Sequence, residues 1–384
     1  LEKTVTPEVL STAVDELIKF HDALRFKYNN RGGEWIQEYD GVHSEKLITL
    51  DLKSADKETF ADKVKEHSDK YNAGLDIQKG EIVKFILMQT PESETHNRIL
   101  IVVHHLAIDG VSWRILLEDL ELLLNGIQKD GKAELGVKGS SFRQWYEALE
   151  QFSNSKRLLS QGKYWENVVS NYKPLEIDKE FNVKLKAKDI ESETISLDSI
   201  QTQLLLQEVP RVYHTEINDI LLCALALTIS EWSKNDKVTI GMEGHGRENI
   251  SESIDTSRTV GWFTSLYPVL LEVNADGNLS DAIRGVKEQL RRIPDKGLGY
   301  GVMRYINKNE KVIDASGKES WDIVFNYLGQ LDKVVGGSNW LSGAGESAGE
   351  FRSPEQTVSE NLSFSGMIRG GELVLSLSYS GLQF

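Results

Sequence analysis

Two adjacent histidines at the end of an apolar run are the first residues of this sequence that could do acid–base chemistry. His104 and His105 lie in the stretch RILIVVHHLAIDGVSW, and Asp109 and Gly110 follow them. An imidazole titrates near pH 6.5, so it can accept a proton at neutral pH. Successive side chains of a strand point to opposite faces, so we expect one ring to face a cavity and the other to pack inward. Asp109 and Gly110 fit a turn into a helix.

A glutamate at the end of a predicted strand is the second candidate. Glu243 follows the run KVTIGM and precedes a glycine-rich turn, 244–246, where the backbone can come close to a ligand. Its carboxylate could be a base, an acid or a solvated surface charge. His245 and Glu248 lie nearby in the chain, but scattered ligand types in a glycine-containing loop are weak support for a metal site.

An aromatic residue in the stretch FNYLGQ is the third candidate. Tyr327 lies among apolar strand residues, ahead of Gly329. A core aromatic is the simpler interpretation, and a phenol beside a developing oxyanion is the functional one. The sequence contains neither a P-loop nor the dinucleotide-binding spacing G-x-G-x-x-G.

Composition and charge limit the classes of protein to which this chain can belong. Hydrophobic residues make up 40% and charged residues 27%, which is typical of a soluble globular protein. A net charge of −15 makes nucleic acid and anionic membranes poor partners. The single cysteine, Cys223, lies in the apolar run LLCALAL and excludes an intramolecular disulfide framework. No apolar run is long enough to cross a bilayer, and together these features predict a cytoplasmic protein.

The elements that must position these residues alternate between helices and strands. KFILMQT and RILIVVHH predict a hairpin, and residues 112–125 predict a helix that Gly126 ends. Residues 141–170 continue a helical pattern, and most of TVGWFTSLYPVLLEV is predicted as a strand. The length of 384 residues favours two domains, and the irregular, charged segment 173–189 predicts a linker between them. The predicted fold class is α/β, with layers built on mixed sheets.

Several stretches together resemble one known family. HHLAIDGVSW resembles the HHxxxDG motif of the condensation superfamily of nonribosomal peptide synthetases. Five further stretches, in family order, resemble the epimerization domains of that superfamily: SWRIL, EGHGRE, RTVGWFTSLYPVLL, DKGLGYG and FNYLGQ. The first motif of the family, an aromatic-containing segment near the N-terminus, is not found, and we expect the chain to begin after it.

The resemblance implies a fold, a domain division and a set of partners. It implies two chloramphenicol acetyltransferase-like subdomains that form a V-shaped pseudo-dimer, with a tunnel between them. The subdomains would span residues 1–172 and 190–384. The substrate would be an aminoacyl or peptidyl thioester on the phosphopantetheine arm of a peptidyl carrier domain, so no cofactor or metal of the chain's own is expected. An adenylation domain of the same synthetase and a downstream condensation domain are further implied partners.

The resemblance also implies inversion, L to D, of the substrate α-carbon by removal and return of a proton. The thioester acidifies that position because the carbanion is delocalised as an enolate, so the reaction needs acid–base groups and oxyanion stabilisation. His105 and Glu243 match the catalytic histidine and glutamate of the family, and Tyr327 could orient the substrate or stabilise the enolate. Structural or supporting roles are implied for five residues: His104, Asp109, Gly110, Arg247 and Asn326. We expect Asp109 to pair with Arg247 or Arg258.

Three other functions remain open from the sequence. A condensation domain would use the same HHxxxDG motif to form an amide bond between two carrier-bound substrates, although EGHGRE and SWRIL favour the epimerization branch. A catalytically silent module that docks carrier domains is the second alternative, and the joint presence of His105, Glu243 and Tyr327 counts against it. An acyltransferase that uses free acyl-CoA is the third.

Overall fold

The computed structural model divides the chain into two compact units. It describes residues 1–39, 41, 46–179, 184–313, 319–330 and 338–384. Unit 1 and unit 2 each combine three segments of the chain: Leu1–Tyr146, Ser251–Phe263 and Lys333–Arg352 form unit 1, and Glu147–Ile250, Thr264–Asp332 and Ser353–Phe384 form unit 2.

This division differs from the predicted halves. The chain first passes from unit 1 to unit 2 after Tyr146, ahead of the predicted linker 173–189. Two segments of the predicted C-terminal half, Ser251–Phe263 and Lys333–Arg352, belong to unit 1. The carboxylate of Asp109 accepts the backbone N–H of Phe263, and this bond helps to hold the segment Ser251–Phe263 in unit 1. Residues 180–183 of the predicted linker lie outside the described residues.

Unit 1 combines three long helices with a small sheet and a hairpin. Its helices are α1 (Pro7–Phe20), α2 (Phe60–Asn72) and α3 (Gly110–Asp130). Its strands are β1 (Phe26–Arg31), β2 (Glu34–Tyr39), β3 (Leu47–Asp51), β4 (Val83–Gln89) and β5 (Arg98–Val103). Strands β1 and β2 pair with each other, while β4 lies between a parallel β3 and an antiparallel β5. The predicted hairpin of KFILMQT and RILIVVHH is therefore confirmed.

Helix α3 carries the end of the HHxxxDG stretch and is longer than predicted. It begins at Gly110 behind the capping residue Asp109, and it ends at Gly131, which has a left-handed φ of 68°. The prediction that Gly126 ends the helix was wrong. A Cβ at Gly126 would lie 2.6 Å from the carbonyl oxygen of Lys132, so the glycine permits a close approach of the backbone inside the helix.

Unit 2 is built on a six-stranded sheet. Its strands are β6 (Glu191–Leu197), β7 (Lys237–Gly244), β8 (Ser265–Glu272), β9 (Ile323–Gln330), β10 (Leu362–Arg369) and β11 (Glu372–Tyr379). The order across the sheet is β6-β11-β10-β9-β7-β8, with β9 parallel to both of its neighbours and the other pairs antiparallel. This order brings the strand that ends in EGHGRE next to the strand that carries FNYLGQ.

Unit 2 also contains a series of helices, in the chain order that follows. The predicted helical stretch 141–170 is broken into three pieces, because Ser155 caps a new helix with its side chain. The helices from this region onward are α4 (Phe142–Ser153, which begins in unit 1), α5 (Lys156–Leu159), α6 (Gly162–Ser170), α7 (Ser199–Gln203), α8 (Val209–Tyr213), α9 (Ile217–Ser233), α10 (Leu279–Arg291) and α11 (Leu298–Gly301). The predicted mixture of helices with mixed sheets is confirmed.

Two sequence predictions concern apolar segments. Cys223 lies buried on α9, and this burial raises the pKa of its thiol to about 11. Within the described ranges no single helix is long and apolar enough to cross a membrane, and the segments 199–213 and 217–233 reach that size only as a pair bent by 95°.

The stretch TVGWFTSLYPVLLEV forms a strand only in part. Strand β8 begins at Ser265, so the residues of the stretch that precede Ser265 are not in the strand.

Candidate functional site

His104 lies just beyond the end of strand β5 and makes a local structural contact. The strand ends at Val103, and His105–Ala107 forms a short 3₁₀ turn. The backbone N–H of Leu106 donates to Nδ1 of His104 at 3.2 Å, so this ring caps the turn. Burial and the neighbouring charge of His105 lower the pKa of the His104 imidazole. A neutral ring keeps Nδ1 available as the acceptor that the turn needs.

His105 is exposed and packs against an aromatic ring of its own unit. Its ring meets Trp262 edge to face, with 5.0 Å between the ring centroids. Trp262 itself is 43% exposed. The two histidines are separated as predicted, but the reason is different: the strand has ended, so its alternation does not apply. Of the two rings, that of His105 is the more exposed.

Asp109 and Ser112 fasten the segment that carries Trp262. The carboxylate of Asp109 accepts the N–H of Ser112 at 2.7 Å through Oδ1 and the N–H of Phe263 at 3.0 Å through Oδ2. The Ser112 hydroxyl donates to the carbonyl of Gly261 at 2.9 Å and accepts its N–H at 3.1 Å. Asp109 is 4% exposed and Ser112 is fully buried. The three bonds to Gly261 and Phe263 hold Trp262 between two anchored residues, beside His105.

Arg258 forms a second link between this segment and α3. It donates to Glu118 at 2.8 Å and also to Asp119, and these hydrogen bonds raise the pKa of its guanidinium. Asp119 is buried and also contacts Nε2 of His21 at 2.9 Å. The prediction that Asp109 might pair with Arg258 was wrong, because the arginine is engaged by two carboxylates that lie roughly two and a half to three turns further along α3. A pairing of Asp109 with Arg247 stays a prediction.

In unit 2, Glu243 and Asn326 lie side by side on neighbouring strands. Met242 of β7 is opposite Phe325 of β9, and the next residue on each strand is Glu243 and Asn326. The amide Nδ2 of Asn326 donates to Oε2 of Glu243 at 2.7 Å. This hydrogen bond orients the Glu243 carboxylate, and the residue is exposed to solvent. The sequence predicted only a supporting role for Asn326, without a partner.

Tyr327 follows Asn326 and therefore points to the opposite face of the sheet. It pairs with Gly366 of β10, and burial raises the pKa of its phenol. The register of β9 shifts just beyond this pair, where Gly329 has a left-handed φ of 77°. The structure thus brings Asn326, and not Tyr327, into contact with Glu243.

The loop that follows Glu243 is held by side chains within it. Nδ1 of His245 accepts the N–H of Arg247 at 3.0 Å, and Nε2 lies 3.1 Å from Glu248. Glu248 lies 3.8 Å from the ammonium group of Lys296. Among the described residues, no cluster of three or more His, Cys, Asp or Glu side chains could hold a metal ion.

Sequence reasoning missed two residues that shape these sites. Ser112 follows Asp109 at the spacing of a capping motif, but nothing in that spacing shows its bonds to Gly261. Asp295 opens the DKGLGYG stretch and organises a turn next to the Glu243 loop, through contacts that only the fold creates. Chemically, unit 1 offers the exposed imidazole of His105 and unit 2 the exposed, hydrogen-bonded carboxylate of Glu243, and both are side chains of the kinds that serve in general acid–base catalysis.

Comparison with known sequences identifies a family. The family model described as "Condensation domain" matches residues 1–384. Surfactin synthase subunit 2 of Bacillus subtilis (strain 168) is 40% identical over 386 residues, which covers 100% of this chain and 10% of the relative. Tyrocidine synthase 1 of Brevibacillus parabrevis is 35% identical over 98% of this chain and 35% of the relative. The chain thus spans between a tenth and about a third of the length of these relatives.

Solved structures share the fold. The epimerization domain from the third module of tyrocidine synthetase B is similar, with a TM-score of 0.87 and 34% identity over 99% of this chain and 84% of that one. The condensation domain from the monacolin K polyketide synthase has a TM-score of 0.74 at 12% identity, a likeness of fold alone. The family match covers every residue of the sequence, and the motifs that suggested the superfamily lie inside it. The chain belongs to the condensation-domain family.

Proposed function

We propose that this chain is an epimerization domain. It would invert the α-carbon of an aminoacyl or peptidyl thioester held on the phosphopantetheine arm of a carrier domain, as an isomerase of a nonribosomal peptide synthetase. The observation that carries the proposal is the exposed Glu243 carboxylate, held by the amide of Asn326 at 2.7 Å. A second acid–base group besides the histidine of HHxxxDG is what an inversion needs. The 34% identity to a solved epimerization domain, over most of that chain, supports it.

The proposed reaction is a transfer of one proton off and one proton onto the same carbon. One of His105 and Glu243, in its basic form, accepts the α-proton while the C–H electron pair moves into the enolate of the thioester. The other, in its acid form, then donates a proton to the opposite face of that carbon, and the carbonyl is restored. Asn326 keeps Glu243 oriented by donating one hydrogen bond to Oε2. The amide takes no part in the proton transfer.

Supporting residues are assigned by their contacts. Asp109 and Ser112 hold the segment of Trp262, whose ring limits the orientations open to His105. Gly110 begins α3, and its N–H belongs to the positively polarised end of the helix, where an enolate oxygen could be bound. Tyr327 stays a proposed substrate-orienting residue. The pantetheine arm belongs to the carrier domain, and we propose no cofactor of the chain's own.

The test is exchange of the α-proton in heavy water. A carrier domain loaded with an L-amino acid should gain deuterium at Cα and become an L/D mixture when this chain is added. Glu243→Gln and His105→Ala should each abolish inversion with an unchanged circular dichroism spectrum. Glu193→Gln, an exposed glutamate on β6 of the same sheet, is the matched control and should keep full activity. Neither deuterium nor D-isomer with the wild-type chain would refute the proposal.

Amide-bond formation is the second candidate function, because the family model is that of a condensation domain. Two loaded carriers, one bearing a donor and one an acceptor amino acid, would then yield a dipeptidyl thioester. We expect no such product. Its appearance, without deuterium at Cα, would replace the epimerase assignment by the condensation one.

A further inference from the structure

The turn 295–297 in DKGLGYG is held in an unusual backbone conformation. Asp295 and Lys296 have φ values of 45° and 47°, and Gly297 follows at 88°. Two successive residues that carry a Cβ rarely adopt the left-handed region, because Cβ crowds the following carbonyl. Such a conformation persists only where surrounding contacts hold it.

The exposed Arg157 and the buried Gln161 and Trp165 clamp this turn through the carboxylate of Asp295. Nε of Arg157 lies 3.1 Å from each carboxylate oxygen, and a second guanidinium nitrogen also donates. Nε2 of Gln161 donates to Oδ2 at 2.6 Å. Gln161 is oriented in turn by the indole N–H of the fully buried Trp165, at 3.2 Å. The side chain of Asp295 is only 12% exposed, whereas that of Arg157 is 51% exposed, so the carboxylate is the shielded partner of this forked ion pair.

The clamp is connected to the loop of Glu243 at three places. Nη1 of Arg157 donates to the carbonyl of Asn249 at 3.0 Å, so a single arginine binds both the turn and the end of the loop. The ammonium group of Lys296 lies 3.8 Å from Glu248. At the start of the loop, a Cβ on Gly244 would lie 3.4 Å from the carbonyl oxygen of Lys296, so the two backbones pass close to each other there.

We propose that Asp295 is a positioning residue for Glu243, an inference that rests on the proposed function. The clamped turn forms the surface against which the loop 243–249 is held, and it keeps the Glu243 carboxylate within hydrogen-bonding distance of Asn326. Loss of the clamp releases the turn toward ordinary backbone angles and removes this support. Asp295 acts through Glu243 and does not contact the substrate.

The kinetic test compares variants that weaken the clamp with a matched control. Asp295→Asn keeps the shape of the side chain and loses the forked ion pair, and Arg157→Gln removes it from the other side. Glu355→Gln is the control, because Glu355 also binds two cations of unit 2, Lys186 and Lys188, through charge-assisted hydrogen bonds. In both clamp variants we expect kcat for α-proton exchange to fall about tenfold or more, with KM within about twofold of wild type. The control should retain both constants.

A second measurement does not depend on activity. The side-chain amide of Asn326 can be followed by NMR in protein labelled with 15N-asparagine, and its resonance is the one that disappears in Asn326→Asp. We expect Asp295→Asn to shift this resonance toward its position in Glu243→Gln, where the carboxylate acceptor is gone, and Glu355→Gln to leave it in place.

The two measurements separate the two proposals. If the wild-type chain exchanges no α-proton but the Asn326 resonance shifts in Asp295→Asn, the epimerase function is refuted and the positioning of Glu243 is supported. If the wild-type chain is active and Asp295→Asn leaves either kcat or the Asn326 resonance unchanged, the positioning role is overturned. Circular dichroism and thermal unfolding of every variant confirm that the comparison is made between folded proteins.

Discussion

Replacement of Asp109 by alanine should destabilise unit 1 by more than the loss of an ordinary helix cap. The buried carboxylate accepts two N–H groups, from Ser112 at 2.7 Å and from Phe263 at 3.0 Å. Loss of a capping acceptor costs about 1 kcal/mol. Phe263 is only 5% exposed, and removing an acceptor from a buried N–H adds roughly 1–3 kcal/mol. We therefore expect the free energy of unfolding to fall by about 2–4 kcal/mol in Asp109→Ala.

The measurement is urea unfolding followed by tryptophan fluorescence. Asp198→Ala is the matched control, because Asp198 caps the exposed helix α7 by accepting the N–H of Gln201 at 2.8 Å. It should cost only about 1 kcal/mol. Asp109→Asn should fall between the two, since a carboxamide has one acceptor oxygen in place of two. If Asp109→Ala proves no more costly than Asp198→Ala, the reasoning that the bond to Phe263 holds the segment 251–263 is refuted.

Burial and close packing lead to three further expected outcomes. The pKa of His104 is lowered, so the free energy of unfolding should decline below about pH 6.5, where the unfolded chain binds the proton first. Urea unfolding at several pH values measures this decline, and His104→Asn should remove it. Cys223, with a pKa of about 11, should react with a thiol reagent at pH 8 only in denaturant, as followed by absorbance. In Gly241→Ala the free energy of unfolding should fall by about 1–3 kcal/mol, because the added Cβ would lie 2.7 Å from the Trp321 ring. In Gly285→Ala, in an open part of α10, it should rise by up to about 1 kcal/mol. Thermal unfolding measures both changes.

Local patterns in the sequence predicted the elements that local interactions determine. The hairpin of β4 and β5 follows from two apolar runs around a turn, and Asp109 signals the start of α3 through its capping chemistry. The position of Glu243 near the end of a strand followed from the same patterns, whereas His105 was predicted inside a strand and lies just beyond it. These predictions needed only residues close in the chain.

Contacts between residues that are distant in the chain could not be predicted from such local patterns. The segment before Ser265 has the composition of a strand, yet Asp109 and Ser112 bind its backbone N–H and carbonyl groups, so they are not available to a sheet ladder. Gly126 has the usual signal of a helix end, but it lies within α3, where its missing side chain leaves room for the carbonyl of Lys132. The clamp on Asp295 likewise joins residues 138 positions apart in the chain.

The register of β9 against β7 determines which residue of FNYLGQ meets Glu243. In the structure Phe325 is 3% exposed, on the face opposite to Asn326 and Glu243. A shift of one residue would bring Tyr327 next to Glu243, but it would turn Phe325 outward and bury the Asn326 amide, at a cost of roughly 1–3 kcal/mol for an unsatisfied polar group alone. The alternation of buried Ile323 and Phe325 with half-buried Val324 and Asn326 therefore fixes Asn326 as the partner of Glu243 through packing of the core. A role inferred for Tyr327 from its motif must for this reason be exerted from the other face of the sheet.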